Sequence, residues 1–312
     1  MISDIVVTDE VTKCYGEHTA VDAVSLTVRA GEVYGFLGPN GAGKTTTLRM
    51  LAGLVRPTSG MATLFGRSPG DSAVAARTGV LIEGPGFFPY LSGRDNLRVL
   101  SRYRRLPDDA VESALHRVGL RDRGHDRFRT YSLGMKQRLG VAAALLGEPD
   151  LLILDEPTNG LDPAGVAEMR ELIVELADAG HSVMLSSHML SEVQEICDRV
   201  GVISRGELIA ESTVAELRGD TSLLVRADPT ERAAAVLAEL LGRDIVDTVG
   251  DALTVAVSPD LAPKVARALV DAGIDLHELS RREQSLEDVF FDMTSDRAAG
   301  NRAASNDVRR VS

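Results

Sequence analysis

The sequence lacks the features that mark disulfide-rich, zinc-binding or membrane-spanning proteins. It has two cysteines in 312 residues, Cys14 and Cys197, and neither belongs to a Cys-x-x-Cys or Cys/His cluster. We therefore expect no disulfide framework and no zinc site. No apolar run reaches about 18 residues, so we expect that the chain does not cross a bilayer by itself.

Basic residues are also in deficit. The chain has 34 Lys and Arg against 46 Asp and Glu, a formal net charge of -12. General nucleic-acid binding normally leaves a basic surface that displaces phosphate counterions, so this balance argues against it, although it does not exclude a local basic face. The start, MISDIVVTDE, carries acids where a signal peptide needs a basic segment before an apolar one. We expect a cytoplasmic chain.

Length and composition allow two globular modules. Hydrophobic residues make up 44% of the chain and charged residues 26%, which is ordinary for a soluble protein with a buried core. We predict a large domain over residues 1–218, a small domain over 219–295 and a disordered tail over 296–312, where apolar periodicity is lost.

Strands alternate with helices through the large domain, which indicates an α/β fold with a largely parallel sheet covered on both faces. A helix is predicted from Lys44 to about Leu54, and an arginine-rich, helix-prone stretch at about 91–140 indicates an inserted helical subdomain. The predicted strands are Ile5 to Thr8, Ser25 to Val28, Val33 to Leu37, Ala62 to Phe65, Leu151 to Leu154, Ser182 to Ser186 and Val200 to Ile203.

The small domain has a different order of elements. Its apolar patterns predict strand, helix, strand, strand, helix and strand between Leu223 and Leu279, followed by a short helix at Leu286 to Met293. This β-α-β-β-α-β order indicates an α+β, ferredoxin-like domain.

A P-loop pattern follows the strand that ends at Leu37. It consists of Gly38, Pro39, Asn40, Gly41, Ala42, Gly43, Lys44 and Thr45, with Thr46 next in the helix. The glycines let backbone N–H groups turn toward phosphate oxygens, and the helix adds its positive end. We expect Lys44 to reach the β- and γ-phosphates of a nucleotide and the Thr45 hydroxyl to bind Mg²⁺. A glycine-rich turn without a ligand is the alternative, and the full match argues against it.

Two acids follow the apolar run from Leu151 to Leu154. A strand end in a doubly wound sheet delivers such residues to the edge where the fold binds its ligand. Asp155 is therefore predicted to hold Mg²⁺ and Glu156 to act as the general base on the attacking water. An apolar strand that simply enters a solvated turn is the alternative, which the P-loop disfavours.

The segment YSLGMKQ, Tyr131 to Gln137, resembles the signature motif of ATP-binding cassette (ABC) transporters. The resemblance runs from about Ile5 to Glu211 and implies an ABC ATPase fold that binds ATP and Mg²⁺. In that family the signature completes the site of a second subunit, so the resemblance implies that Ser132 and Gly134 contact the γ-phosphate of ATP across a head-to-tail dimer.

Further positions match the same family. Asp162 resembles the residue of the loop that crosses the dimer interface, His188 resembles the switch histidine that contacts the γ-phosphate, and Tyr15 resembles the aromatic residue that stacks on adenine. By itself, each is an ordinary surface or core residue. Glu83 stands where the family usually presents a glutamine to Mg²⁺; as an anion it is still expected to bind Mg²⁺, with added charge beside the phosphates.

The segment IEGPGFFPY from Ile82, the form of the signature, and SLEDVF from Ser285 resemble the ATPases of antibiotic exporters such as those for bacitracin and daunorubicin. The resemblance implies a homodimer, or a pair with another ATPase subunit, at the cytoplasmic face of the membrane that powers a separate permease. We expect the chain to attach to this permease through residues 85–129. Phe87, Phe88 and Tyr90 are expected to be exposed together there, beside Arg102 and Arg104. An importer ATPase, a soluble ABC ATPase and a non-catalytic regulator remain alternatives.

Overall fold

The computed structural model describes residues 3–84, 86–107, 109–217, 222–242, 245–250 and 252–282. The chain divides into two compact units, residues 1–214 and 215–312. The boundary predicted at 218/219, the helix predicted at Leu286 to Met293 and the tail predicted over 296–312 lie outside the described residues.

The first unit combines two β-sheets with helices. Its strands are β1 (Asp4–Tyr15), β2 (His18–Val24), β3 (Thr27–Arg29), β4 (Val33–Leu37), β5 (Ser59–Leu64), β6 (Thr78–Leu81), β7 (Leu151–Asp155), β8 (Ser182–Ser187), β9 (Arg199–Ser204) and β10 (Glu207–Thr213). Its helices are α1 (Lys44–Leu51), α2 (Ser72–Arg77), α3 (Gly93–Tyr103), α4 (Asp109–Arg117), α5 (Leu133–Leu145), α6 (Pro163–Asp178) and α7 (Leu190–Ile196), and α8 (Val214–Leu217) lies at the division.

A six-stranded sheet carries the fold, in the order β10-β9-β4-β8-β7-β6. All neighbours are parallel except β10, which runs antiparallel to β9 at the edge. Every residue of β4, β7 and β8 is buried, because helices cover both faces of a parallel sheet. The carboxyl ends of β4, β8, β7 and β6 therefore meet along one edge.

A smaller antiparallel sheet joins β1 to β2, β3 and β5. The sequence prediction missed β2 and ended the first strand at Thr8, whereas β1 continues to Tyr15. The reason is that this stretch has an exposed face rich in charge, and register shifts at Val11, Lys13 and Cys14 break the simple alternation that marks a strand. The short elements α2 and β6 were also not predicted.

Helices α3, α4 and α5 form the inserted subdomain. Leu97, Leu115 and Leu139 supply its buried core. The buried Arg94 on α3 donates to Glu112 Oε2 on α4 at 2.9 Å, which pairs a charge that would otherwise be costly inside the subdomain.

The second unit is an antiparallel sheet with helices. Its elements are β11 (Ser222–Asp228), α9 (Thr230–Leu241), β12 (Val246–Val249), β13 (Ala252–Val255), a 3-10 turn (Pro259–Leu261), α10 (Ala262–Asp271) and β14 (Asp275–Arg282). The strand order is β12-β13-β11-β14, the arrangement of a ferredoxin-like domain. The α/β fold class and the ferredoxin-like second domain predicted from the sequence are confirmed.

The two cysteines differ in accessibility, which gives a simple check of the first unit. Cys197 is buried, and burial raises the pKa of its thiol well above the ordinary value, whereas Cys14 is half-buried on β1. We expect a thiol reagent to label Cys14 at least ~10²-fold faster than Cys197 in the folded protein, because the thiolate is the reactive form. Mass spectrometry after timed labelling measures this. A Cys14→Ser control should lose the fast phase; equal labelling of both thiols would contradict the packing.

Candidate active site

The P-loop connects β4 to α1 at the carboxyl edge of the large sheet. Gly41 and Gly43 adopt left-handed conformations, with φ of 79° and 108°, which side chains on these residues would oppose. Gly43 is the N-terminal cap of α1, so the helix begins at Lys44 with its N–H groups facing the loop. The geometry is that of an anion-binding loop.

Lys44 is held inside this loop. Its side chain is only 6% exposed, and its ammonium group donates to the carbonyl oxygens of Gly38 at 2.7 Å and Pro39 at 3.3 Å. The same group forms an ion pair with Glu156 Oε1 at 3.0 Å. A buried ammonium requires such partners, because an unpaired charge in this position would be strongly destabilising.

Asp155 ends β7 and joins three elements. Its Oδ2 accepts a hydrogen bond from the Thr45 hydroxyl at 2.9 Å, and its Oδ1 accepts one from the Ser186 hydroxyl at 2.6 Å. Asp155 and Ser186 are direct partners in the ladder between β7 and β8. The strand register therefore fixes the orientation of this carboxylate toward the P-loop helix.

Glu156 occupies the adjoining turn with a positive φ of 48°, a conformation that costs a non-glycine residue of order 1–3 kcal/mol. Its backbone N–H donates to Ser186 Oγ at 2.9 Å. Its side chain lies between two groups, with Oε1 on Lys44 and Oε2 at 2.5 Å from His188 Nδ1. The site thus holds this carboxylate in one orientation beside a cation and a histidine.

A cavity of about 630 Å³ opens above these groups, a volume in the range of small-ligand sites. The residues predicted from the sequence that line it are Tyr15, Asn40, Gly41, Gly43, Lys44, Thr45, Thr46, Glu83, Asp155 and Glu156. His18, Ala20, Gly84, Gln137 and Asn159 also line it, although the sequence prediction did not place them at this cavity. Ser186, which the prediction missed, lies beneath it.

Three other predicted site residues lie elsewhere on the first unit. Ser132 caps α5, where its hydroxyl accepts a bond from the Met135 N–H at 3.2 Å, and Asp162 caps α6 in the same way through Gly165 at 3.0 Å. Each therefore caps the helix that it precedes. A side chain built on Gly134 would meet nothing nearer than Leu161 at 4.0 Å, so the start of α5 presents an open surface.

This fold and site define a class of protein. A P-loop on a doubly wound parallel sheet, with an acid pair at the end of a neighbouring buried strand, is the arrangement of P-loop nucleotide hydrolases. The class alone does not separate kinases, GTPases and transport ATPases, because they share these elements.

Comparison with known proteins gives the family. A model of the family described as ABC transporter matches residues 21–159. The chain is 40% identical over 296 residues to the bacitracin transport ATP-binding protein BcrA of Bacillus licheniformis, covering 93% of this chain and 97% of that protein. It is 36% identical over 309 residues to the daunorubicin resistance ATP-binding protein DrrA3 of Streptomyces coeruleorubidus, covering 95% and 98%.

Solved structures agree. The chain resembles cbiO1 from Clostridium perfringens, part of the ABC transporter complex cbiONQ, with a TM-score of 0.64 and 26% identity over 78% of this chain and 98% of that one. The chain belongs to the ATP-binding subunits of ABC transporters, and it is an ATP-hydrolysing enzyme. The resemblance drawn from the signature motif is confirmed.

Proposed function

We propose that ATP hydrolysis in this cavity drives a separate membrane permease that exports an antibiotic or another amphipathic compound. The observation that carries the proposal is the similarity over more than nine-tenths of the chain to proteins named for bacitracin transport and daunorubicin resistance. Within the described ranges, no helix has both the length and the apolar character needed to span a membrane. A partner chain would provide the path for the exported compound, with this subunit at its cytoplasmic face.

The site fits Mg²⁺ in its donor chemistry. The Thr45 hydroxyl and the Asp155 carboxylate are hard oxygen donors already 2.9 Å apart, and Glu83 lines the same cavity. We propose that Thr45 and Asp155 hold the ion, with Glu83 available as a further oxygen donor. When bound, the ion would neutralise charge on the phosphates of ATP.

The remaining roles follow from the contacts of Glu156. Both oxygens of Asp155 are engaged by hydroxyl groups, so Glu156 is the remaining acid beside the P-loop. Its carboxylate is proposed to accept the proton of the attacking water. His188 holds the second oxygen of Glu156 in place, and Lys44 offsets negative charge. Tyr15, which lines the cavity, is proposed to stack on adenine.

The open surface at Ser132 and Gly134 supports a dimer. The start of α5 offers backbone N–H groups at a positive helix end, yet these residues do not line the cavity that the same subunit's P-loop forms. We propose that they complete the ATP site of a second copy, with Asp162 at the interface between the two.

An exposed aromatic surface on the inserted subdomain is the proposed permease contact. Phe88 and Tyr90 are exposed, and their ring centroids lie 5.8 Å apart. The expectation that Phe87 shares this exposure is wrong, since its ring is half-buried and packs edge-on against Phe128 at 5.2 Å. Arg104 is also partly buried, and that burial lowers its pKa, which leaves Arg102 as the better charge probe.

Replacing the exposed rings tests this surface. We expect Phe88→Ser with Tyr90→Ser to lower recovery of the chain in membranes containing its cognate permease by at least about tenfold, because central aromatic residues carry much of the binding energy of an interface. Nucleotide binding should not change. The backbone near residue 88 should survive, since Asn96 holds both the N–H and the carbonyl of Phe88.

The matched control is Met61→Ser, which removes a comparably exposed apolar side chain on β5. Quantitative immunoblotting of washed membranes gives the bound fraction. Wild-type chain that stays out of these membranes would contradict the permease assignment, and normal recovery of the double variant would contradict the surface alone.

A further inference from the structure

The lining of the ATP cavity carries more carboxylates than cations. Among the described residues that line it, three are carboxylates, Glu83, Asp155 and Glu156, and one is a lysine or arginine, Lys44. The nucleotide that binds here is a polyanion, so each carboxylate must be offset or the cavity repels its own substrate. How each acid is offset can be read from its contacts.

Asp155 and Glu156 find their partners within the site. Asp155 accepts hydrogen bonds from two hydroxyl groups, and Glu156 lies between Lys44 and His188. Glu83 has none of these partners. Its carboxylate forms an ion pair with the guanidinium of Arg49, which is not a lining residue of the cavity.

The backbone brings this pair together from separate elements. Glu83 follows β6 and adopts a left-handed conformation with a φ of 60°, and Gly84 follows with a φ of 80°. Arg49 lies in the last turn of α1, the helix that begins with Lys44. A residue of the P-loop helix therefore holds a loop that lines the cavity.

We propose that Arg49 is a positioning residue that holds the Glu83 carboxylate and offsets its charge, so that ATP enters a cavity whose loop carries an acid. The inference rests on the ATP site described above. Arg49 acts through Glu83 and does not contact the nucleotide. This role of Arg49 requires an acid at position 83, because a neutral residue there would need no counter-charge.

The expected effect is moderate, since both groups are partly exposed, Arg49 at 32% and Glu83 at 61%, and solvent and salt screen them. We expect Arg49→Gln to weaken ATP binding about fivefold at low ionic strength, and less in high salt. Arg49→Lys keeps the charge and should stay within about twofold of wild type. In EDTA, where Glu83 has no Mg²⁺ to bind, Glu83→Gln should bind ATP more tightly than wild type, because an acid beside the phosphates is removed.

The decisive variant is the double replacement Arg49→Gln with Glu83→Gln. If Arg49 acts through Glu83, removing the acid should restore ATP affinity to within about twofold of wild type. As a basic residue in the last turn, Arg49 also stabilises α1 through the helix dipole. If Arg49→Gln weakens ATP binding by destabilising this helix, the weaker binding would persist in the double variant. Arg67→Gln, which removes an exposed arginine from another ion pair, is the matched control and should have no effect.

The test is the dissociation constant of ATP for the full chain, measured by isothermal titration calorimetry with EDTA and again with Mg²⁺, at two salt concentrations. Weaker binding by Arg49→Gln together with rescue by Glu83→Gln supports the proposal. Wild-type affinity of Arg49→Gln, or a double variant as weak as Arg49→Gln, overturns it. If wild-type chain fails to bind ATP, or Lys44→Ala binds as well as wild type, the ATP site itself is contradicted, which is a distinct result.

Discussion

Replacing Glu156 with Gln should lower ATP hydrolysis by roughly 10²-fold or more, because the amide keeps the shape of the side chain and loses the proton acceptor. ATP binding should persist and is expected to tighten. The ion pair at 3.0 Å between Lys44 and Glu156 disappears in this variant, which leaves the ammonium of Lys44 free for the phosphates. The measurements are phosphate release for the rate and calorimetry for binding.

Glu175→Gln is the matched control, since it removes an exposed carboxylate from α6 at a distance from the described cavity lining. It should leave both rate and affinity unchanged. If the Glu156→Gln variant, assembled with its partner permease, hydrolyses ATP at a near-normal rate, Glu156 is not the base. A variant that lost ATP binding together with hydrolysis would instead assign this carboxylate to binding.

Mixing two inactive variants should restore activity if the ATP sites are shared between two copies. Gly134→Asp is the better signature variant, because a side chain at this position meets open space and an acid in the first turn of α5 suits the helix dipole. It should leave its own subunit folded while placing negative charge against the phosphates of the second copy. Lys44→Ala removes the P-loop cation instead.

The rate of ATP hydrolysis by each variant alone should be about 10²-fold or more below wild type, since every ATP site in either homodimer lacks one element. In an equal mixture, half of the dimers are mixed and each contains one complete site, so activity should return to roughly a quarter of wild type. Phosphate release across a series of mixing ratios measures this. A flat, inactive series in which both variants remain folded by circular dichroism would favour an ATP site built within one subunit.

Much of the fold follows from local patterns. The strands β4 and β7 are continuous apolar runs, and the glycines and acids that follow them have fixed spacing, so their meeting at one sheet edge is predictable. By contrast, β2 was missed because buried and exposed residues do not alternate regularly along the strand. The short element α2 offers too few residues to show a helical period.

The supporting groups of the site could not be read from the sequence. Ser186 lies within a buried strand, and only the register that sets it opposite Asp155 gives its hydroxyl a function. Arg49 and Glu83 come together from a helix and a loop that no local pattern connects. Phe87 is half-buried because its ring packs against Phe128, which follows α4 in the chain, whereas Phe88 is exposed. Contacts of this kind require the tertiary structure.

Purification with the cognate permease tests the central claim most directly. The wild-type chain, expressed with that permease and extracted in detergent, should co-purify with it and show Mg²⁺-dependent ATP hydrolysis. Lys44→Ala should co-purify equally well with hydrolysis reduced about 10²-fold or more, since the change lies in the cavity and leaves the aromatic surface intact. Wild-type chain recovered without the membrane protein, or Lys44→Ala retaining full hydrolysis, would contradict the account.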